Sequence, residues 1–191
     1  MSPSNLGVIA SQISGHLWAP SGAYDSIATT TVGAGGAATV TFSSIPSTYT
    51  HLQIRWIARN ASTNATDSFG INFNSDTGAN YAWHWLYGTG SSVSAYGTGS
   101  QTAGLIECTS GAGATSGIFG GGYIDILDYA NTTKYKTVRS LGGADANGSG
   151  GIFLMSSLWQ NTNAVSTILL TSNSGNFQQY SQFALYGIKG N

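Results

Sequence analysis

Hydrophobic and polar residues alternate with a period of two along many short stretches of the chain. The clearest stretch is residues 52–59, in which one predicted face carries Leu52, Ile54, Trp56 and Ala58 and the other carries Gln53, Arg55, Ile57 and Arg59. Similar runs occupy residues 40–42, 69–73, 81–87, 123–127, 165–170 and 183–188. Because successive side chains of a strand point to opposite faces of a sheet, this pattern predicts β-strands along most of the chain.

Turn signals separate these runs at short spacing. The Gly-Ala-Gly-Gly sequence at residues 33–36 predicts a hairpin between strands at 27–32 and 37–43, because glycine tolerates the positive φ of tight hairpins. About ten short strands result, and the expected architecture for that pattern is a two-sheet antiparallel β-sandwich of jelly-roll type. We therefore predict an all-β fold with residues 24–191 in a single sandwich domain.

Residues 1–23 are rich in apolar side chains but do not follow the strand pattern. The apolar residues of this segment are Leu6, Val8, Ile9, Ile13, Leu17 and Trp18. Such a segment must be buried against another surface, because exposure of apolar side chains to water is unfavourable. We predict an extended N-terminal arm that forms an assembly interface on a neighbouring subunit or a larger shell. The alternative is that the segment packs across the mouth of its own sandwich.

Residues 88–122 are dense in glycine, serine, alanine and threonine, with few large apolar side chains. This composition predicts long loops around one or two weak strands. Loops on a rigid scaffold are where binding residues concentrate. We therefore expect this segment to contribute to any binding surface.

The charge content is low. Only 7% of the residues are charged and the formal net charge is −1, whereas an average soluble domain contains about 25% charged residues. A weakly charged surface resists self-association poorly. The composition favours a protein whose surface is largely covered in an assembly, and the alternative is a secreted β-protein with a neutral polar surface.

Several partner classes are not expected. The few lysine and arginine residues are scattered, whereas nucleic-acid binding requires clustered basic side chains. No segment approaches the roughly 18 uninterrupted apolar residues of a membrane span. The N-terminal residues contain no basic region and no long apolar stretch, so we expect no signal peptide and synthesis in the cytoplasm.

Catalytic motifs are absent from the sequence. His16, His51 and His84 could act as general bases, but none belongs to a recognisable nucleophile motif. Asp125 and Asp128 are the closest pair of carboxylates that could serve glycoside hydrolysis. Three residues apart on a strand, they would lie on opposite faces. We therefore expect no catalytic residues and no enzymatic activity.

Metal and thiol chemistry are also not expected. Asn74, Asp76, Gly78 and Asn80 are spaced like part of a calcium loop, but the glutamate that would complete it is missing. No cysteine and histidine cluster suits zinc. Cys108 is the one cysteine and lies in an apolar setting, which predicts a buried and unreactive thiol. We expect no metal and no cofactor.

The aromatic run at residues 81–87 allows two interpretations. Tyr81, Trp83, Trp85 and Tyr87 would share one face of a strand. Large aromatic side chains on one face are typical of a sandwich core or a subunit interface. If that face is open, Trp83, Trp85 and Tyr87 would instead form a stacking platform for sugar rings, since amphipathic aromatic side chains favour binding surfaces.

Three segments of the chain resemble small virion structural proteins of tailed DNA phages. They are residues 6–11 (LGVIAS), residues 24–28 (YDSIA) through 42–55 (FSSIPSTYTHLQIR), and residues 183–189 (FALYGIK). The middle third of the chain resembles these proteins only in its general composition and contains no matching segment. The resemblance implies a jelly-roll-like sandwich, commonly a homotrimer, that serves as a capsid decoration (cement) protein, a head fibre or part of a tail fibre. It brings no catalytic residues.

The sequence thus favours a phage virion protein that binds and stabilises the outer capsid surface. Its expected partners are copies of itself and the major capsid protein or another virion protein, and its expected location is the virion. The alternative function is a tail-fibre or baseplate adhesin that binds host surface glycans. A wall-degrading hydrolase that acts through Asp125 is the third hypothesis.

Overall fold

A computed structural model describes residues 22–190, which form an all-β fold of two antiparallel sheets packed together. The strands are β1 (Tyr24–Thr31), β2 (Thr39–Phe42), β3 (His51–Ala58), β4 (Thr66–Phe73), β5 (Tyr81–Gly88), β6 (Val93–Gln101), β7 (Gly104–Ser110), β8 (Gly120–Leu127), β9 (Lys136–Asp145), β10 (Gly150–Trp159), β11 (Ile168–Ser172) and β12 (Gln182–Ile188). The predicted two-sheet sandwich is confirmed. Within this part of the chain, no helix is long and apolar enough to cross a membrane.

The two sheets differ in width. The large sheet has eight strands in the order β1-β12-β3-β8-β9-β10-β5-β6, and the small sheet has four in the order β2-β11-β4-β7. Two hairpins, β5–β6 and β9–β10, lie side by side in the large sheet beyond β8. The large sheet therefore extends further on this side than the small sheet that packs against it.

The core between the sheets is built from the alternating residues of the strands. Leu52, Ile54, Trp56 and Ala58 of β3 are all buried, as the period-two pattern predicts. Phe69 of β4 lies at the centre, where its ring packs edge-on against Trp56 at 5.3 Å, with Phe177 and Phe183 at similar distances. Edge-to-face packing of this kind adds to the free energy gained from burying the rings.

The hairpin predicted at residues 33–36 is wrong. Strand β1 pairs with β12 in the large sheet, whereas β2 pairs with β11 in the small sheet. The glycine-rich turn therefore connects the two sheets instead of two neighbouring strands. Glycine permits the positive φ of Gly36 in either kind of turn, so the local signal could not distinguish them.

Residues 88–122 contain two strands, β6 and β7, as predicted, but the loops around them are short except at residues 111–119, so the prediction of long loops is wrong in part. Strands β9 and β10 have no counterpart among the predicted strands. Small residues such as Gly142, Gly143, Gly150 and Gly151 interrupt the apolar alternation in both. These residues form strands because they pair with neighbours along their full length.

Arg59 does not lie on the solvent-facing side of β3. The strand ends at Ala58, and Arg59 is buried behind it. Its guanidinium donates hydrogen bonds to the side chain of Gln178 and to the carbonyls of Ala114, Thr115 and Ile118. The prediction that Arg59 continues the alternation of β3 is wrong by one residue, because sequence periodicity does not show where a strand ends.

Candidate functional site

The candidate site is a group of five aromatic side chains on the inner side of the large sheet. We call it the aromatic cluster, and its members are Trp83, Trp85 and Tyr87 of β5, Tyr96 of β6 and Phe153 of β10. The register brings them together, since Tyr96 pairs with Trp85 and Phe153 pairs with Tyr87. Tyr96 is 56% exposed, and the other four are partly buried. Tyr81, from the same predicted face, is instead buried in the core.

The aromatic cluster is exposed to solvent because the small sheet ends before it reaches β5 and β6. The last strand of the small sheet, β7, lies against β9 and β10, and the Cys108 thiol donates a hydrogen bond to the Gly151 carbonyl at 3.2 Å. Met155 and Ser157 of β10 are buried on this side. Strands β5 and β6 extend past β7, so their inner face has no fifth strand of the small sheet above it.

The rings of the cluster form a continuous chain of contacts. Trp83 and Trp85 lie 5.8 and 6.0 Å from Tyr96, measured between ring centroids. Trp85 packs edge-on against Tyr87 at an interplanar angle of 89° and against Phe153 at 74°. Only Tyr87 and Phe153 are stacked, at 4.1 Å and 17°. The rings are therefore inclined to one another, as in a protein core, and do not form a flat platform.

The opposite face of the same strands is aliphatic. We call this surface the aliphatic patch, and its members are Leu86, Val93, Ile152 and Leu154, whose side chains are 49 to 75% exposed. Leu86 pairs directly with Leu154, while Ile152 and Val93 both pair with Gly88. Because exposed apolar side chains are common one by one but less common in contiguous patches, this surface is a candidate for contact with another protein.

Both faces lack formal charge. No Asp, Glu, Lys or Arg occurs in residues 77–106 or in residues 146–188, which include β5, β6 and β10. His84 is exposed on the outer face beside Gly97. Strand β6 is also an edge of the large sheet, and neither lysine nor proline blocks it from pairing with another strand. The β5–β6 hairpin thus offers two neutral faces and an open edge.

A shallow cavity of about 550 Å³ borders the aliphatic patch at Ile152. It is lined by residues 88–90, 143–145 and 148–152, more than half of which are glycines. The one carboxylate in its lining, Asp145, accepts a hydrogen bond from its own turn, at Asn147. The cavity therefore places one carboxylate, that of Asp145, at the border of the otherwise uncharged aliphatic patch.

The two candidate carboxylates for hydrolysis are engaged separately. Asp125 accepts a hydrogen bond from the side chain of Gln53 at 2.8 Å. Asp128 forms an ion pair with Lys134, and this hydrogen bond lowers the pKa of Asp128. His51 lies 3.5 Å from Asp128 and accepts a hydrogen bond from its backbone N–H. These contacts hold the turn that follows β8.

The side chains of the predicted calcium-like loop bind the protein itself. Asp76 accepts hydrogen bonds from the Trp159 indole at 2.7 Å, from Asn80 and from the Gly78 backbone. These bonds, the one from Trp159 first, lower the pKa of Asp76. Asn74 is bonded instead to residues 164–167. Residues 22–190 contain no group of three or more His, Cys, Asp or Glu side chains arranged to hold a metal ion.

Cys108 lies in the covered part of the sandwich. Its side chain is fully buried, and burial raises the pKa of the thiol to about 11. Since the thiolate is the reactive form of cysteine, this environment makes the thiol unreactive at neutral pH. The predicted buried and inert thiol agrees with this position.

The predicted site residues divide into two groups. Trp83, Trp85 and Tyr87 lie together in the aromatic cluster, whereas Leu6, Val8, Ile9, Ile13, Leu17 and Trp18 of the predicted arm lie outside the described residues. The sequence analysis missed Tyr96 and Phe153, which only the pairing of β5 with β6 and β10 brings to the cluster. Comparison with protein-family models, with curated proteins and with solved structures finds no match for the chain.

Proposed function

We propose that this protein is a non-enzymatic structural component of a phage virion, most simply a capsid decoration protein that binds and stabilises the outer capsid surface. The observation that carries the proposal is the β5–β6 hairpin, with two neutral apolar faces and an open edge at one side of the sandwich. Such a surface is suited to burial against other protein subunits. The sequence resemblance to virion proteins of tailed phages supplies the location, with the major capsid protein or another virion protein as partner.

The arrangement of ionisable groups supports a structural role. Arg59 and Lys136 are buried, and both donate to neutral carbonyl or amide oxygens. Four cationic side chains therefore remain at the surface of the described residues: Arg55, Lys134, Arg139 and Lys189. Two of them, Lys134 and Lys189, form ion pairs with Asp128 and Asp25. The remaining surface carries little charge to oppose close packing of subunits.

We also propose that the sandwich is a jelly roll with two added hairpins. The strand order supports this assignment, since β1-β12-β3-β8 faces β2-β11-β4-β7 once β5–β6 and β9–β10 are set aside. An eight-stranded double sheet with crossing connections is the arrangement of a jelly roll. On this reading, the hairpins that widen the large sheet are additions to the basic fold, and the candidate surface lies on them.

Deletion of residues 1–22 tests the decoration role. We expect the shortened protein to keep its folded sandwich, because the described strands begin at Tyr24, and to lose binding to phage capsids assembled without this protein. Co-sedimentation with such capsids measures binding, and circular dichroism verifies folding. Full capsid occupancy by the shortened protein would contradict the predicted arm, and absence of binding by the intact chain would reject the decoration role itself.

A glycan-binding adhesin is the second candidate function. The observation that favours it is the partial exposure of Trp83, Trp85 and Tyr96, whose polar edges suit a surface that binds hydroxyl-rich ligands. If this function is correct, a glycan array should show specific binding that Trp85→Ala abolishes in a folded protein. Binding that Trp85→Ala leaves unchanged would exclude the cluster as the sugar site.

A further inference from the structure

We propose that the aromatic cluster is covered by the same cluster of a second copy of this chain, across a rotational symmetry axis. The inference deepens the proposed structural role, on which it rests, by naming the partner of this surface. Its first support is the position of the cluster. The small sheet ends at β7, so a second copy placed over β5 and β6 would take the place where the sandwich lacks its next strands.

The ring geometry favours a protein partner over a sugar. Sugar rings stack best on broad aromatic faces that lie parallel to the surface. In the cluster, Trp85 stands at 89° to Tyr87 and at 74° to Phe153, which is the edge-to-face packing of protein cores. The central core of the sandwich repeats this arrangement, with Trp56 at 86° to Phe69. The cluster therefore has the geometry of a core that is closed on one side only.

The absence of charge favours a second copy over a different protein. When identical surfaces meet across a two-fold axis, residue i contacts residue j and j contacts i, so a charged residue close to the axis meets its own equivalent. Like charges so placed repel each other. Residues 77–106 and 146–188 contain no Asp, Glu, Lys or Arg, so two copies of this surface come together without such repulsion. A distinct partner would not require this surface to be free of both signs of charge.

The size of the surface sets the expected affinity. Strand β6 has 9 residues, which corresponds to a length of about 30 Å, and the uncovered strands are about 10–15 Å wide. Treated as a flat rectangle, the contact surface has an area on the order of 300–450 Å² per copy. The buried area is larger than this, because the aromatic rings project from the sheet. The flat area is below the roughly 600–1,000 Å² per partner of stable specific interfaces and is typical of weak or transient contacts. We therefore expect association at micromolar concentrations.

Sedimentation equilibrium of the full-length chain and two variants tests the inference. Tyr96→Lys places a charge at the most exposed ring of the cluster, and should weaken self-association by about 100-fold or more, because the charge would be buried next to its symmetry equivalent. Tyr135→Lys is the matched control, since Tyr135 is a similarly exposed tyrosine that lies outside the β5–β6 hairpin, between β8 and β9. It should associate like the natural chain. Circular dichroism establishes that both variants are folded.

Three results would overturn the inference: a monomeric natural chain at high micromolar concentration, unchanged association of Tyr96→Lys, or equal loss of association in Tyr135→Lys. If Tyr96→Lys does not fold, Trp83→Lys and intermolecular cross-linking of Tyr96→Cys replace it. A cross-link between copies supports the inference, and none in an associated sample rejects it. Capsid binding is measured on the same samples. A protein that self-associates through the cluster but does not bind capsids retains this inference and loses the decoration role.

Discussion

Arg59→Ala is expected to lower the free energy of unfolding by at least about 3 kcal/mol. Arg59 is 6% exposed, and its guanidinium donates four hydrogen bonds, to Gln178 and to the carbonyls of Ala114, Thr115 and Ile118, at 2.8 to 3.1 Å. Alanine removes all four hydrogen bonds and leaves the Ala114 and Ile118 carbonyls and the Gln178 side-chain oxygen without this donor, whereas the Thr115 carbonyl keeps the Ile118 N–H; buried acceptors without partners are costly. Chemical denaturation followed by tryptophan fluorescence measures the change.

Two further variants make this result specific. Arg59→Lys keeps the charge but not the planar arrangement of donors, so its stability should lie between those of the natural chain and the alanine variant. Arg139→Ala removes an exposed arginine of β9 and should change stability by less than about 0.5 kcal/mol. Hydrogen exchange should also increase at residues 111–119, which Arg59 holds in place. A loss below about 1 kcal/mol for Arg59→Ala would show that the guanidinium does not anchor this loop.

The parts of the fold that could be predicted from the sequence are those with strong local alternation. Strand β3 is the best case, because Leu52, Ile54, Trp56 and Ala58 report one buried face without reference to any other strand. The turn at residues 33–36 shows the limit. Whether it joins two paired strands or two sheets depends on the contacts of β1 with β12 and of β2 with β11, which lie far away along the chain. Local residues contain no information on those partners.

The sequence predicts the candidate site only in part, as it does the fold. The alternation in β5 predicts that Tyr81, Trp83, Trp85 and Tyr87 share one face. It does not predict that the small sheet buries Tyr81 and leaves the other three partly exposed. The difference arises because the small sheet ends above β10, a property of the whole topology. Tyr96 and Phe153 come from two other strands and join the cluster through strand register. A single sequence does not specify register between strands that carry so many small residues.

The few charged residues of the chain are distributed unevenly, which composition alone does not show. Arg59 and Lys136 are taken into the interior, where they connect loops to the ends of strands, and their removal from the surface leaves the exterior even more neutral. The β5–β6 hairpin has no charge on either face. Charge is thus used within the sandwich for stability and is absent where we propose that subunits meet. This division makes the interior cations sensitive positions for stability and the hairpin a sensitive position for assembly.

Lys136→Met is the second substitution with a large expected effect, a destabilisation of about 2–4 kcal/mol. The ammonium is fully buried and donates to the carbonyls of Asn131, Lys134 and Thr162, at 2.6, 3.0 and 3.0 Å. Burial lowers the pKa of Lys136, so part of the gain from the hydrogen bonds is offset by the cost of removing the charge from water. Methionine retains much of the packing of the side chain but leaves three carbonyls without a donor. Urea denaturation measures the loss.

Lys134→Met provides the matched control, two residues away in the same turn. Lys134 forms an ion pair with Asp128, but its side chain is 55% exposed, and exposed ion pairs contribute about 0–1 kcal/mol. We therefore expect Lys134→Met to lower the free energy of unfolding less than Lys136→Met does. Water can take the place of the exposed Lys134 ammonium beside Asp128, but it cannot easily reach the buried carbonyls around Lys136. Equal stability of the two variants would refute this ordering. Higher stability of Lys136→Met than of the natural chain would show that the desolvation cost of the ammonium exceeds the value of its three hydrogen bonds, as it does for some buried ion pairs.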